Sequence, residues 1–295
     1  MVLEKIVPEK WLERKASYAF LVGAFYSIIG IILARLLFAS DPAIPAIAFT
    51  SLFLLPELIT MFTIEEAQQE KRKKASIMSA WRDNGDFFRV YLGLFLGILL
   101  ISTIAAIMLP SLTVNSIFHD QLAMRSESFG ASGNAIASGD AIGNGLFLSL
   151  LQNNAIVLAA VFFVALLAGD GAIFLISWNA TLWGAIFGVT ARNAAYVSSG
   201  NPFVFFAKIA ATVTPHVLLE ASAYILAAMA GGLISRAAER DGWGSTAFRR
   251  VFAENLLIIG LAVVTVIIGA GVEAIALNTS ESYARIVQLG LADSR

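Results

Sequence analysis

Residues 146–168 read LFLSLLQNNAIVLAAVFFVALLA, and 171–190 read GAIFLISWNATLWGAIFGVT, with Gly169-Asp170 between them. Each run is about as long as the 20 apolar residues that cross the hydrocarbon core of a bilayer. The Gly169-Asp170-Gly171 break is the tip of a tight helical turn. Further apolar runs fall at 18–39, 43–63, 90–110, 203–235 and 251–277. Together they predict an all-α polytopic transmembrane bundle of about seven spans. The run at 203–235 is too long for one straight span and holds Lys208 and Thr214-Pro215-His216. Its 203–213 part is therefore expected to be interfacial or re-entrant, with the spanning helix over 214–235 and Pro215 in its first turn, where a missing N–H costs little.

Of the 295 residues, 58% are hydrophobic and 14% charged. A soluble domain has roughly 45–50% and about 25%, so a soluble globular enzyme is excluded, in keeping with a mean hydropathy of +0.78. A formal charge of -1 gives no basic excess for nucleic acid. Cysteine is absent, which removes disulfides, thiolate nucleophiles and Cys-based metal sites; the two histidines, His119 and His216, are far apart. No metal or cofactor is expected. The first run, Tyr18 to Ala39, exceeds a signal-peptide core and reads as an uncleaved anchor.

Lys and Arg are retained on the cytoplasmic side of membrane proteins. Here 14 of the 20 fall in three segments: four in the N-terminal stretch, six in 64–89 and four in 236–250. With seven spans and the N-terminus inside, all three segments are cytoplasmic, in a multi-pass protein of the cell membrane. The organisation read from the chain is an interfacial segment at 1–17, then three spans over 18–110 with the basic loop 64–89. An extracytoplasmic loop at 111–145, rich in Gly, Ser and Ala, separates these from a transmembrane core at 146–277, and an outer tail occupies 278–295. The basic 64–89 segment is either a solvated loop or a helix that meets anionic lipid or an acidic partner.

No GxxxxGK[ST], GxSxG or HExxH run is present. Interest therefore falls on polar residues at membrane depth, where ionisable groups are costly enough to face protein or water. The candidate site residues are His216, Glu220, Asn153, Asn154, Asn179, Glu57 and Pro215; Arg35 and Glu273, near span ends, are expected to snorkel. His216 and Glu220, four apart, share one helix face within hydrogen-bond reach across a turn. A structural lock through Asn153, Asn154 or Asn179, a proton or solute site, and a catalytic dyad are three readings of that pair. The pairs Gly93 with Gly97 and Gly184 with Gly188 suit close helix packing within the monomer.

The segment QNNAIVLAAVFFVALLAGDGAIFLISWNATLWGAIFG, followed by TPHVLLEASAYILAAMAGGLI, resembles the stage II sporulation protein M family of integral membrane proteins. The features are the Asn pair, the small-residue turn at 169–171, Asn179 with Gly184 and Gly188, and Pro215-His216 with Glu220; Val217 replaces a Gly frequent after that Pro-His. The resemblance covers about 146–235, with the first three spans alike only in character. It implies a non-enzymatic membrane component; the namesake in spore formers is associated with a wall-remodelling complex and anchors peptidoglycan-degrading partners. The expected role is a scaffold or assembly subunit of a cell-envelope complex. Its partners would be the lipid bilayer, other membrane or envelope proteins and possible further copies of itself, with 111–145 as the outer docking surface. The alternative is a permease subunit driven by a separate ATPase or an ion gradient, with Glu57, His216, Glu220 and the Asn residues along its path. An intramembrane enzyme would need a nucleophile and base that the sequence does not display.

Overall fold

The computed structural model describes residues 16–70, 77–124 and 144–292. Most of the interfacial segment read at 1–17, the basic cluster 71–74 and the Gly- and Ser-rich stretch 125–143 lie outside the described residues. Helices are α1 (Ala16–Leu37), α2 (Ala43–Glu70), α3 (Ile77–Met108), the short α4 (Ser111–Ile117), α5 (Asn144–Ala168), α6 (Ile173–Ser198), α7 (Pro202–Asp241), α8 (Thr246–Thr279) and α9 (Glu281–Ala292). Among the described residues six stretches are long and apolar enough to cross a membrane, and the fourth, Gly145–Ser198, contains both α5 and α6. A 3-10 turn, Gly169–Ala172, divides it, so seven helices have spanning length. Gly169 turns the chain at φ +53, a backbone region that favours glycine.

Helix directions follow from the close approaches. A Cβ on Gly23 of α1 would stand 2.5 Å from the Leu94 carbonyl oxygen of α3, and one on Gly93 would stand 2.6 Å from that of Ala16. On α6, a Cβ at Gly184 would meet the Leu99 carbonyl oxygen at 2.6 Å and one at Gly188 that of Thr103 at 2.8 Å. Residue numbers rise together in both contacts, so α1, α3 and α6 run parallel. Both Gly-x-x-x-Gly pairs are thus spent inside the monomer, as the sequence suggests. α5 and α7 are also parallel: Asn154 meets Glu220, and Asp170 at the end of α5 meets Arg236. Parallel packing of alternate spans is what an up-and-down chain requires. It puts the start of α1, the ends of α2 and α7 and the starts of α3 and α8 on one side. Those are the ends that carry the basic segments, and the positive-inside rule makes that side cytoplasmic.

α7 is the centre of the bundle. It is buried from Val213 to Ala238 on most of its surface and packs against α5, α6 and α8. Its Ala223, Ala227, Ala228, Ala230 and Gly231 let neighbours approach closely; a Cβ on Gly231 would stand 2.7 Å from the Phe162 carbonyl oxygen of α5.

The structure corrects three expectations. First, residues 203–213 are neither interfacial nor re-entrant as a separate piece: α7 is continuous from Pro202. The helix starts there because Asn201 caps it, its side chain accepting from the Phe203 N–H at 2.9 Å, and Pro202 occupies the first turn. Pro215 lies in the interior, where it withholds only the N–H for the Ala211 carbonyl; tightly packed membrane helices tolerate that loss. Second, the outer segment 111–145 begins as structure. α4 and helical residues 119–124 follow Pro110, and Val114, Ile117 and Phe118 pack on Ala106 of α3 and Ala185 and Val189 of α6. Their three- and four-residue spacing is an amphipathic signal. Third, the basic segment 64–89 is not all loop, because α2 runs out to Glu70 and α3 begins at Ile77. Glu, Gln and Ala at 65–70 are good helix formers that carry α2 beyond its apolar part.

The outer face is tied down by two further bonds. Arg192 Nη1 donates to the Leu109 carbonyl at 3.2 Å, fixing α6 to the α3–α4 junction, and Asn193 Nδ2 donates to the Gly290 carbonyl at 3.3 Å, fixing the tail helix α9 to α6. Tyr283 and Ile286 bury the inner side of α9.

Leucine at Gly184 is expected to lower the unfolding temperature markedly in detergent, because overpacking costs about 1–3 kcal/mol or more. Gly260→Leu, on α8 with open space around its Cβ position, should leave it unchanged. The absence of cysteine makes topology directly testable: Ser199→Cys should react with an impermeant maleimide from outside, and Trp243→Cys only after permeabilisation.

Candidate functional site

Glu220 is 1% exposed and stands on α7. Sixteen residues, about 24 Å of helix, separate it from Arg236 at the cytoplasmic end, which puts it in the outer half of a core about 30 Å thick. An ionisable side chain there must find polar partners in neighbouring helices. Glu220 Oε1 accepts from Asn154 Nδ2 of α5 at 2.9 Å, and Asn154 Oδ1 accepts from the Tyr224 hydroxyl at 3.1 Å. The amide of Asn154 is thereby oriented from both ends. Tyr224 lies one turn beyond Glu220 on α7, so a single asparagine braces two residues of one helix face.

The carboxyl of Glu273 on α8 faces that of Glu220 closely enough for a hydrogen bond between them when one carries a proton. α8 comes this near because Gly269, one turn before Glu273, has no side chain: a Cβ there would already touch Glu220 Cγ at 3.4 Å. Glu273 therefore does not simply snorkel. Its position near a span end suggested water, but the Gly269 face turns it inward.

His216 is 2% exposed on the same side of α7, yet no hydrogen bond joins it to Glu220. The two diverge because different helices receive them. His216 meets the Trp183 ring of α6 edge-on, with centroids 6.3 Å apart, and its Nδ1 has no partner. The expected pairing across one turn is thus replaced by a cluster of Asn154, Glu220, Tyr224 and Glu273 drawn from three helices.

The other candidates lie elsewhere. Asn153 is exposed and reaches only its neighbour, Nδ2 donating to Asn154 Oδ1 at 3.4 Å. Asn179 donates to the Leu175 carbonyl at 2.8 Å within α6. Glu57 is half-buried on α2, beside Tyr18 and Tyr26 of α1. Pro215 shapes α7 without touching the cluster's polar groups. Tyr224 and Trp183 are the site residues that sequence reasoning missed, and Glu273 was singled out there but assigned to snorkelling. A four-residue Gly-to-Glu spacing on α8 and the Glu-to-Tyr spacing on α7 were the available signals. Among the described residues no group of three or more His, Asp or Glu is placed to hold a metal ion.

A seven-span helical bundle with its basic segments gathered at one side and a hydrogen-bonded polar cluster inside is an integral membrane protein. More particularly, the chain belongs to the stage II sporulation protein M family, whose model matches residues 19–276. The match takes in the first three spans, well beyond the 146–235 segment that carries the resemblance. No curated protein and no solved structure matches the chain.

Asn154→Val should cost about 1.5–3 kcal/mol, since it strips the donor from a buried carboxyl, and Tyr224→Phe about 1 kcal/mol. Asn179→Ala, which breaks a bond confined to one helix, should stay within about 0.5 kcal/mol. Unfolding followed by tryptophan fluorescence in micelles ranks the three.

Proposed function

We propose that this protein is a non-enzymatic scaffold, or assembly subunit, of a cell-envelope complex in the cell membrane. The observation that carries the reading is that three polar side chains of the central helix bond elsewhere in the same bundle: Glu220 to Asn154, Tyr224 to Asn154, Arg236 to Asp170. Such bonds between spans fix a bundle, as a platform for partners requires. Membership of the sporulation protein family supports an envelope role. The outer segment 111–145 is the proposed docking surface for extracytoplasmic partners. It starts from a packed base, α4 on α3 and α6, so whatever binds beyond it would be held against the bundle. The basic 64–89 segment is the proposed inner one. A permease subunit, coupled to a separate ATPase or an ion gradient, is the second reading. It is favoured by Glu220 Oε2 and His216 Nδ1, which are buried and without hydrogen-bond partners inside the bundle.

Affinity purification of the full-length protein in mild detergent, with mass spectrometry of stoichiometric companions, tests the proposal. An envelope protein with an outer domain is expected, lost when 125–143 is replaced by a short Gly-Ser linker while the unfolding temperature holds. Recovery of an ATPase subunit instead, with solute flux abolished by Glu220→Gln, would overturn the scaffold in favour of the permease.

A further inference from the structure

Glu220 has two carboxyl oxygens and only one is accounted for. Oε1 takes the Asn154 amide. Oε2 is buried with no donor, and the carboxyl beside that of Glu220 is Glu273, one turn beyond the Gly269 that packs on Glu220 Cγ. Tyr224, the other donor in the cluster, is committed to Asn154 Oδ1. Two ionised carboxylates brought together in a dry site repel, and neither has a hydrogen to offer. One proton placed between them removes the repulsion, supplies the missing hydrogen bond to Oε2 and leaves a single charge, which the Asn154 amide faces.

Among the described residues no Lys or Arg is a charge partner of either carboxyl. From α5 the facing group is Asn154, which is neutral, while Trp183 of α6 meets His216. On α7 itself the titratable neighbours are Tyr224 and His216, and on α8 Glu273. Arg236 bonds Asp170 at the inner turn and Arg192 the Leu109 carbonyl at the outer face.

We infer that Glu220 of α7 and Glu273 of α8 form a proton-binding site in the outer half of the membrane, holding one exchangeable proton between their carboxyls. The proton joins the two helices: with it the carboxyls bond, and without it they push α8 away from α7. The sign of the pH dependence follows. The folded protein binds one proton that the separated carboxyls of the unfolded chain release at neutral pH, so stability falls as pH rises through the site's midpoint. The inference is independent of the scaffold reading, since the companion proteins can prove to be otherwise while the site stands.

The test is infrared spectroscopy of the full-length protein in nanodiscs at about pH 6.5, where exposed carboxyls are ionised. A protonated-acid carbonyl band is expected in the wild type, bleaching as pH rises. It should be lost from the variant difference spectrum in both Glu273→Gln and Glu220→Gln. The unfolding temperature should fall over the same pH range in the wild type and stay level in Glu273→Gln, whose amide donates permanently to Glu220. Should Glu220→Gln fail to fold, Glu273→Gln alone decides, because its side chain is less enclosed than that of Glu220. A band equal in wild type and Glu273→Gln would overturn the inference. So would a wild-type midpoint that shifts by about one pH unit for a tenfold change in Na⁺ at constant ionic strength, which would assign the site to an alkali cation competing one-for-one with the proton.

Discussion

A carboxyl group in the hydrocarbon of a bilayer needs a partner in protein, because no water is there to solvate it. Glu220 places that demand on the helix that the others surround, and the bundle is arranged to meet it. α5 must bring Asn154 to the same depth, and α7 must be rotated so that Tyr224 reaches the other end of the same amide. A second tie, Arg236 Nη2 to Asp170 Oδ2 at 2.8 Å, closes the pair at the cytoplasmic surface. The separation between ties is 16 residues on both chains, 154 to 170 and 220 to 236. α5 and α7 therefore run in one register, and sliding by a single turn, about 5.4 Å, would break both ties together.

Small residues make those polar contacts reachable. Between membrane helices there is no hydrophobic force of the kind that folds a soluble core, and close backbone approach with van der Waals contact takes its place. Gly23, Gly93 and Gly97 bring α1 onto α3, Gly184 and Gly188 bring α6 onto α3, and Gly231 brings α5 onto α7. Each lies against backbone or a Cβ of the facing helix, so a larger side chain would have to separate the helices. The polar cluster depends on this: an asparagine side chain is short, and Asn154 reaches Glu220 only where α5 and α7 are near each other.

Fold class and the number of spans were legible in the sequence because length and apolarity are properties of single segments. The candidate site was legible by half. Glu220 and Asn154 stand out as polar residues in apolar runs, and both are in the cluster. Glu273 has the same chemistry, but proximity to a span end gave it a simpler explanation, and only the approach of α8 at Gly269 turns it to Glu220. His216 shows the opposite case: spacing on one helix does put it above Glu220, yet the neighbouring helices α5, α6 and α8 decide where each side chain is received. Pro215 suggested a helix start from local chemistry, whereas Asn201 and Pro202 supply a better one thirteen residues earlier. Val114, Ile117 and Phe118 carried a helical period that the Gly- and Ser-rich residues after them obscured.

The ties are not evenly distributed, and this decides which helix can respond. α5 and α7 are bonded at two depths. α8 meets α7 through apolar packing at its inner end, where Phe248 and Val251 lie with Ile234, Ala237 and Ala238. At its outer end it meets α7 through Gly269 against Leu219, through the carboxyl contact of Glu273 and through the Thr212 and Ser280 hydroxyls, 3.5 Å apart. The inner packing does not depend on charge, and of the outer contacts only the carboxyl pair does. A change of one charge between Glu220 and Glu273 thus acts on the outer third of α8 while its inner end stays fixed. Glu273 is seven residues before Ser280, whose hydroxyl accepts from the Tyr283 N–H at the start of α9. α9 in turn is bonded to the outer end of α6 through Asn193. The proton site is accordingly linked, by one short length of helix, to the outer surface at which a partner would be bound.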